Sequence, residues 1–451
     1  MAVRRCEGNV GASIRRHPLI ILLLAALLVR AVLASFFTTD YDNTYWAYVI
    51  SNIDSDNGLY GLIGYCYAPV WGYILAFLGE FINHITNIVM LGGNFPDLLP
   101  IGEVLFSQHL ATVTTVGFNL VMKTPLILSD LAVGYLIYVV MMDRFNDRRK
   151  ALIAMSLWLF CPVTIYMSSV GVQFDTMSAL LLMLTIYYVR RGRWLLTGLF
   201  FGIAALLKFF PLFGGLVLLA YIYVRTRDDE HHWQPFVQCL GAFAITVLLL
   251  MAPVICCGDF SDSIAFMTGR SGSTSMLFAS LIVTLVLAVQ VVATVTMLQS
   301  SKEEADDLLF LSLTLTIAAP LVLVMTPQYL IVLLPLWCME IFLCPSVSGI
   351  ALVAAVGGSL VNSLLTQSVS VMVSAAKQFG IFSVDFIRGT MEWLSLDVMG
   401  RSIGEWGYYL GERIERIGIL LLILLCIVQL LHYWYCRISS SNCADSDCDE
   451  S

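Results

Sequence analysis

The chain has 451 residues, 59% of them hydrophobic and 12% charged, with a mean hydropathy of +0.84 and a formal net charge of −8. A water-soluble domain of that composition could not cover its own surface with polar groups, so a soluble enzyme and a nucleic-acid partner are both excluded. What is left is a polytopic membrane protein whose acids fall between its apolar runs.

The first run, "LIILLLAALLVRAVLASFF", is long enough to cross a bilayer and follows Arg4, Arg5, Arg15 and Arg16. "RAVLASFF" is a weak small-residue cleavage site, so the run reads as a retained helix over 18–36. Asp40 and Asp42 come directly after it, beside Tyr41, Tyr45 and Trp46. No Lys or Arg occurs between Arg30 and Lys123, whereas Asp40, Asp42, Asp54, Asp56, Glu80, Asp97 and Glu103 do. By the positive-inside rule the N-terminus is cytoplasmic and 37–122 lies outside.

Within that loop Gly58, Gly61, Gly64 and Pro69 predict a turn, then a helix starting near Pro69. The stretch 68–91 is long enough to span, but Glu80, Asn83, His84 and Asn87 interrupt it, so 68–122 reads as helices at the outer interface. Two extra crossings would preserve the parity.

Further spans are predicted near 123–142, 151–169, 176–189, 194–207, 211–224, 235–255, 276–299, 308–325, 329–344, 348–372 and 417–435, about twelve in all. Basic loops at 143–150, 190–193 and 225–232 fall inside in turn, and the even count puts both termini in the cytoplasm of a cell-membrane protein. The fold class is therefore an all-α transmembrane bundle. Its organisation is a module 1–345 that includes the first loop, a C-terminal region 346–436 with an external loop 373–416, and an acidic, Ser-rich tail 437–451 expected to lack order. The twelve cysteines form no CxxC pair and suggest no metal site.

A charge at the edge of a membrane is costly, so each is a functional candidate. Asp40 and Asp42 either cap a helix or supply a general base, and their DxD spacing is also compatible with a divalent ion. Lys123 marks an outer boundary, with Asp130 about two turns deeper. Asp130 either pairs with a cation or hydroxyl of another helix or serves a substrate. Gln173 and Asp175 sit in a short external turn, and Lys208 either snorkels or meets a lipid phosphate. All lie on one side, and together they offer what sugar transfer from a polyprenyl phosphate requires.

The sequence resembles the GT-C superfamily of integral-membrane glycosyltransferases, which includes dolichyl-phosphate-mannose-dependent mannosyltransferases. Asp40, Trp46, Gly58, Tyr60 and Tyr67-Ala68-Pro69 answer to its first-loop pattern, with Ala68 in place of a proline. Lys123, Pro125, Asp130 and Leu131 match a K-P…D-L element. Gly171, Gln173, Phe174 and Asp175 match G-Q-F-D with Val172 inserted; Lys208 and Pro211 match K-x-x-P; Pro327, Gln328, Tyr329 and Pro335 match a late P-Q-Y…P.

The resemblance implies a hexosyltransferase, with mannose the expected sugar, that inverts at the sugar and uses Asp40 as base, with Asp42 the alternative. Trp46, Tyr60, Tyr67, Lys123, Asp130, Gln173, Asp175, Lys208, Gln328 and Tyr329 would bind substrate. The lipid-linked donor is a substrate, no cofactor is implied, and many such relatives look metal-independent. The acceptor would be a glycolipid, glycan or protein, with membrane lipids as surroundings. The competing reading is a twelve-span transporter, with Asp130, Asp175 and Lys208 along its path.

Overall fold

The computed structural model describes residues 17–53, 59–62, 65, 67–85, 90–92, 112–257, 276–322 and 326–446. The chain is an all-α polytopic bundle and an integral membrane protein. Helix α1, Pro18–Phe36, opens on a proline whose fixed φ suits the first turn. Its Ala26, Arg30 and Ala34 face inward at helical spacing, while Leu24, Leu28 and Val32 face outward.

Helix α2, Asp40–Asn52, and a 3-10 turn, Leu59–Gly61, lead to α3, Pro69–Ile85, which starts where the sequence places it. α3 buries Trp71, Leu75, Leu78 and Ile82 against the body and exposes Phe77 and Phe81 on its opposite face. Strands β1, Met90–Gly92, and β2, Thr112–Thr114, pair antiparallel. Gly58 and most of the stretch 86–111 lie outside the described residues.

Helix α4, Val116–Phe145, is a 30-residue span that begins before the predicted 123, because Thr115 caps it by accepting the Phe118 N–H at 3.2 Å. The predicted span 151–169 is two helices, α5 (Arg148–Leu159) and α6 (Pro162–Ser169), bent by 49°. Pro162 cannot continue a helix from Cys161, so the chain restarts there.

Then come α7 (Asp175–Arg190), α8 (Trp194–Leu207), a 3-10 segment Phe210–Gly214, α9 (Gly215–Thr226), α10 (Trp233–Cys257), α11 (Met276–Gln299) and α12 (Lys302–Leu321). A further 3-10 turn, Pro327–Tyr329, precedes α13, Leu330–Glu340, which is buried along its whole length. The C-terminal region holds α14 (Pro345–Phe379), α15 (Val384–Ser395), a hairpin of β3 (Asp397–Val398) and β4 (Arg401–Ser402), and α16 (Ile403–Ser446).

Among the described residues five helices, α1, α4, α10, α14 and α16, are long and apolar enough to cross a membrane, and the bent α5–α6 pair would be a sixth. The predicted spans at 176–189, 308–325 and 329–344 are helices of 16, 20 and 11 residues packed in the interior. The 373–416 loop is structured by α15 and the hairpin, and α16 carries helix into the predicted tail as far as Ser446.

Helices α14 and α16 approach closely through small residues. A Cβ on Gly358 would lie 2.3 Å from the Glu415 nitrogen, and one on Gly411 would lie 2.7 Å from the Gly358 carbonyl.

Arg30 and Asp130 tie the first half together. Both are fully buried; Arg30 Nε donates to Asp130 Oδ2 at 2.7 Å, and Arg30 also donates to the Leu159 carbonyl at 2.8 Å. The Ser168 hydroxyl donates to the same carboxylate oxygen at 2.8 Å, so α1, α4, α5 and α6 meet at one ion pair.

Removing one partner of a buried pair leaves an uncompensated charge. Asp130→Asn is expected to lower stability by about 3–5 kcal/mol, read as the thermal midpoint of detergent-solubilised protein. An Arg30→Leu/Asp130→Leu double variant should regain most of that loss.

Candidate active site

The site lies where α1, α6 and α8 end and the first loop folds back over them. α1 gives way to extended backbone at Phe37. Lys123, buried in α4, holds this exit: its ammonium donates to the Ala34 carbonyl at 3.1 Å, the Phe37 carbonyl at 2.5 Å and the Thr38 hydroxyl. A cation at a helix C-terminus meets carbonyls that the helix leaves unpaired.

Thr39 then bonds the neighbouring turn, its N–H donating to the Val170 carbonyl at 3.0 Å. Asn43 fixes the other flank, donating to Thr114 Oγ1 at 2.8 Å and Asn119 Oδ1 at 2.5 Å. The segment 37–43 is thus fastened from three sides.

The turn it meets is 170–175. Gly171 N–H donates to the Tyr166 carbonyl at 2.8 Å and Gln173 N–H to the Met167 carbonyl at 3.0 Å. Val172, the inserted residue, has φ of 53°, a left-handed conformation that costs a β-branched residue about 1–2 kcal/mol. Its side chain is fully buried, which offsets the strain.

The turn points Gln173 at α2, where Gln173 Nε2 donates to Asp42 Oδ2 at 2.8 Å. Asp175 opens α7 and is fully buried, with Lys208 Nζ 2.8 Å from its Oδ1. Lys208 reaches it because the chain leaves α8 there in extended conformation, three residues before Pro211.

Aromatic rings surround the ammonium and extend the wall. Lys208 Nζ lies 4.7 Å from the Phe174 ring centre and 4.4 Å from that of Tyr329. Phe174 stacks on Trp71 at 4.6 Å and meets Tyr67 at 5.3 Å and Trp46 at 6.1 Å. The Tyr60 hydroxyl donates to the Tyr67 carbonyl at 3.1 Å.

Burial pushes the Asp42 carboxyl up from 3.8 to about 7; the Gln173 hydrogen bond and Lys208 oppose the rise and Asp175 adds to it. A carboxyl poised there can exchange a proton near neutral pH.

The structure therefore brings together Asp42, Trp46, Tyr60, Tyr67, Gln173, Asp175, Lys208 and Tyr329. Gln328 is half-buried in the adjoining 3-10 turn. The side chain of Asp40 lies outside the described residues. Lys123 stands behind the site, bonded to the segment that carries the two acids. Asp130 is closed in its pair with Arg30. Among the described residues no cluster of His, Cys, Asp or Glu could hold a metal ion.

Sequence reasoning missed Arg30, although a cation within an apolar run signals a buried partner. It also missed Trp71 and Asn43, whose roles depend on tertiary contacts alone.

Residues 96–277 match the family model described as GPI transamidase subunit PIG-U. GPI mannosyltransferase 1 of Saccharomyces cerevisiae is 27% identical over 128 residues, which is 28% of this chain and 31% of that protein. GPI mannosyltransferase 1 of Kluyveromyces lactis is 27% identical over 114 residues, 25% of this chain and 28% of that protein. The chain thus spans less than a third of the length of the curated relatives it matches. These likenesses bear out the resemblance to the GT-C superfamily of integral-membrane glycosyltransferases.

A double-mutant cycle on Asp175→Asn and Lys208→Met should give a coupling of about 1–3 kcal/mol in thermal stability. A coupling near zero would mean that the ammonium is not held by Asp175 in solution.

Proposed function

We propose that the chain is a membrane hexosyltransferase that moves mannose from a polyprenyl-phosphate donor to a hydroxyl of a glycolipid, glycan or protein at the extracytoplasmic face. The observation that carries this reading is the Asp42 carboxyl, aimed by Gln173 beside the Lys208–Asp175 pair at the end of apolar helices. The mannosyltransferase relatives suggest the sugar.

In the reaction, Asp42 takes the proton of the acceptor hydroxyl as that oxygen attacks the anomeric carbon. The bond from that carbon to the phosphate oxygen breaks on the opposite face, the lipid phosphate departs with the bonding pair, and the anomeric configuration inverts. Lys208 stabilises the departing phosphate. An ammonium has three N–H donors, so it can hold Asp175 and still offer a donor to the leaving group. Trp46, Tyr60, Tyr67 and Trp71 wall the site and limit access of water. Asp40 is the second candidate for the base.

A second reading is a non-catalytic subunit that holds a lipid-linked glycan in the same place. It is favoured by the family model, whose matched residues include Gln173, Asp175 and Lys208. The transporter reading gains no support from Asp130, which is held by Arg30.

Purified protein supplied with polyprenyl-phosphate mannose and membrane-extracted acceptors should transfer labelled sugar, and Asp42→Asn should reduce transfer by roughly 10²–10⁴-fold. Transfer untouched by Asp42→Asn but lost in Asp40→Asn would move the base. Donor or glycan binding without any transfer would favour the subunit reading.

The pH dependence follows from the position of Asp42. Below about 7 the carboxyl is protonated and cannot accept a proton, so transfer should rise with pH through about 7. Gln173→Leu removes a bond that favours the ionised form, so that limb should move to higher pH. A limb that stays in place would exclude Asp42 as the titrating group.

A further inference from the structure

A second concave feature lies away from the catalytic cluster. A cavity of about 1150 Å³ runs between α5 and α14, with Pro18 of α1 on its border. Its walls include Leu152, Ile153, Phe160, Val353, Val356 and Leu360, and it is larger than the roughly 300–1,000 Å³ of small-molecule sites. It is a side groove of the bundle, and both Ile153 and Val353 are exposed on its rim.

One end carries charge. Arg148 and Arg149 line the groove at the first turn of α5, and both are exposed. Among the described residues neither has a carboxylate partner, although Arg144 in the last turn of α4 and Arg191 just after α7 are both paired. Asp147 is occupied as the helix cap, accepting the backbone N–H groups of Arg149 and Lys150.

We infer that this groove binds an anionic membrane phospholipid, with acyl chain along the α5–α14 walls and phosphate at Arg148 and Arg149. Two cations closing an apolar groove between membrane helices are complementary to such a lipid and favour it over a zwitterionic one, whose ammonium cancels the charge of its phosphate. The sugar donor is a poor occupant. The α5–α6 pair covers roughly 30 Å between the arginines and the Gln173 turn, so a phosphate held here would sit about a bilayer's hydrocarbon thickness from Asp42. The basic loop also marks the cytoplasmic leaflet, opposite to the face of the proposed transfer.

The test is native mass spectrometry of the full chain released from mixed micelles containing phosphatidylglycerol and phosphatidylcholine in equal amounts. Wild type should retain phosphatidylglycerol in preference to phosphatidylcholine. Arg148→Gln/Arg149→Gln should lower that preference by roughly thirtyfold, the effect of two basic groups at an anionic lipid surface. Gly357 lines the groove, and a Cβ there would meet nothing within 4 Å, so Gly357→Phe can narrow the groove without disturbing the backbone packing. It should lower retention of both lipids, with the thermal midpoint reporting that the variant is folded.

Equal retention of the two lipids by wild type would overturn the inference. So would an undiminished preference in the arginine variant, or undiminished retention of phosphatidylglycerol in folded Gly357→Phe. None of these outcomes depends on transferase activity.

Discussion

The fold depends on one constraint: a charged side chain drawn into an apolar bundle must find its counter-charge or its acceptors inside the protein. Arg30 and Asp130 satisfy it for the first half, across 100 residues of sequence. Lys123 meets it through carbonyls at the end of α1 and the Thr38 hydroxyl. Because those acceptors belong to the exit of a spanning helix, meeting the electrostatic demand of one lysine also sets the direction in which the chain leaves the membrane. That direction carries Asp42 to Gln173.

The site is accordingly assembled by chain ends. α1 supplies the path to α2, the α6–α7 turn supplies Gln173, Phe174 and Asp175, and the end of α8 supplies Lys208. Helix ends have backbone groups without partners and side chains free to turn, which makes them suited to polar chemistry beside a bilayer. The aromatic cluster of Trp46, Tyr67, Trp71 and Phe174 then holds these ends in register, so the first loop packs as part of the body. Val172 shows the cost of the arrangement: its left-handed backbone is retained because the burial of its side chain and the two bonds from the turn over-determine it.

Much of this was legible in the sequence. The apolar run ending at Phe36, the proline that starts α3 and the grouping of Asp42, Gln173, Asp175, Lys208 and Tyr329 follow from hydropathy, helix-start chemistry and short motifs. What periodicity could not supply was pairing. Lys208 has no acid near it in sequence, and its partner Asp175 appears only when α7 and α8 pack. Asp130 carried two readings, and Arg30 decides for the structural one. Helices α12 and α13 read as apolar segments like the others, because apolar length does not distinguish a helix facing lipid from one enclosed by other helices. The bend at Pro162 was hidden because the apolar character continues through it.

The 44 residues of α16 form one uninterrupted helix, about 66 Å long at 1.5 Å per residue, against a hydrocarbon thickness of about 30 Å. Near one end Arg401 lies over Tyr409, and the Trp406 indole donates to the Val398 carbonyl at 2.7 Å. Near the other, Tyr433 donates to Glu304 at 2.9 Å and Trp434 to Thr296 at 3.1 Å. Because the helix runs without a break from the hairpin to its contacts with Glu304 and Thr296, the hairpin and the facing ends of α11 and α12 are joined by one continuous hydrogen-bonded element.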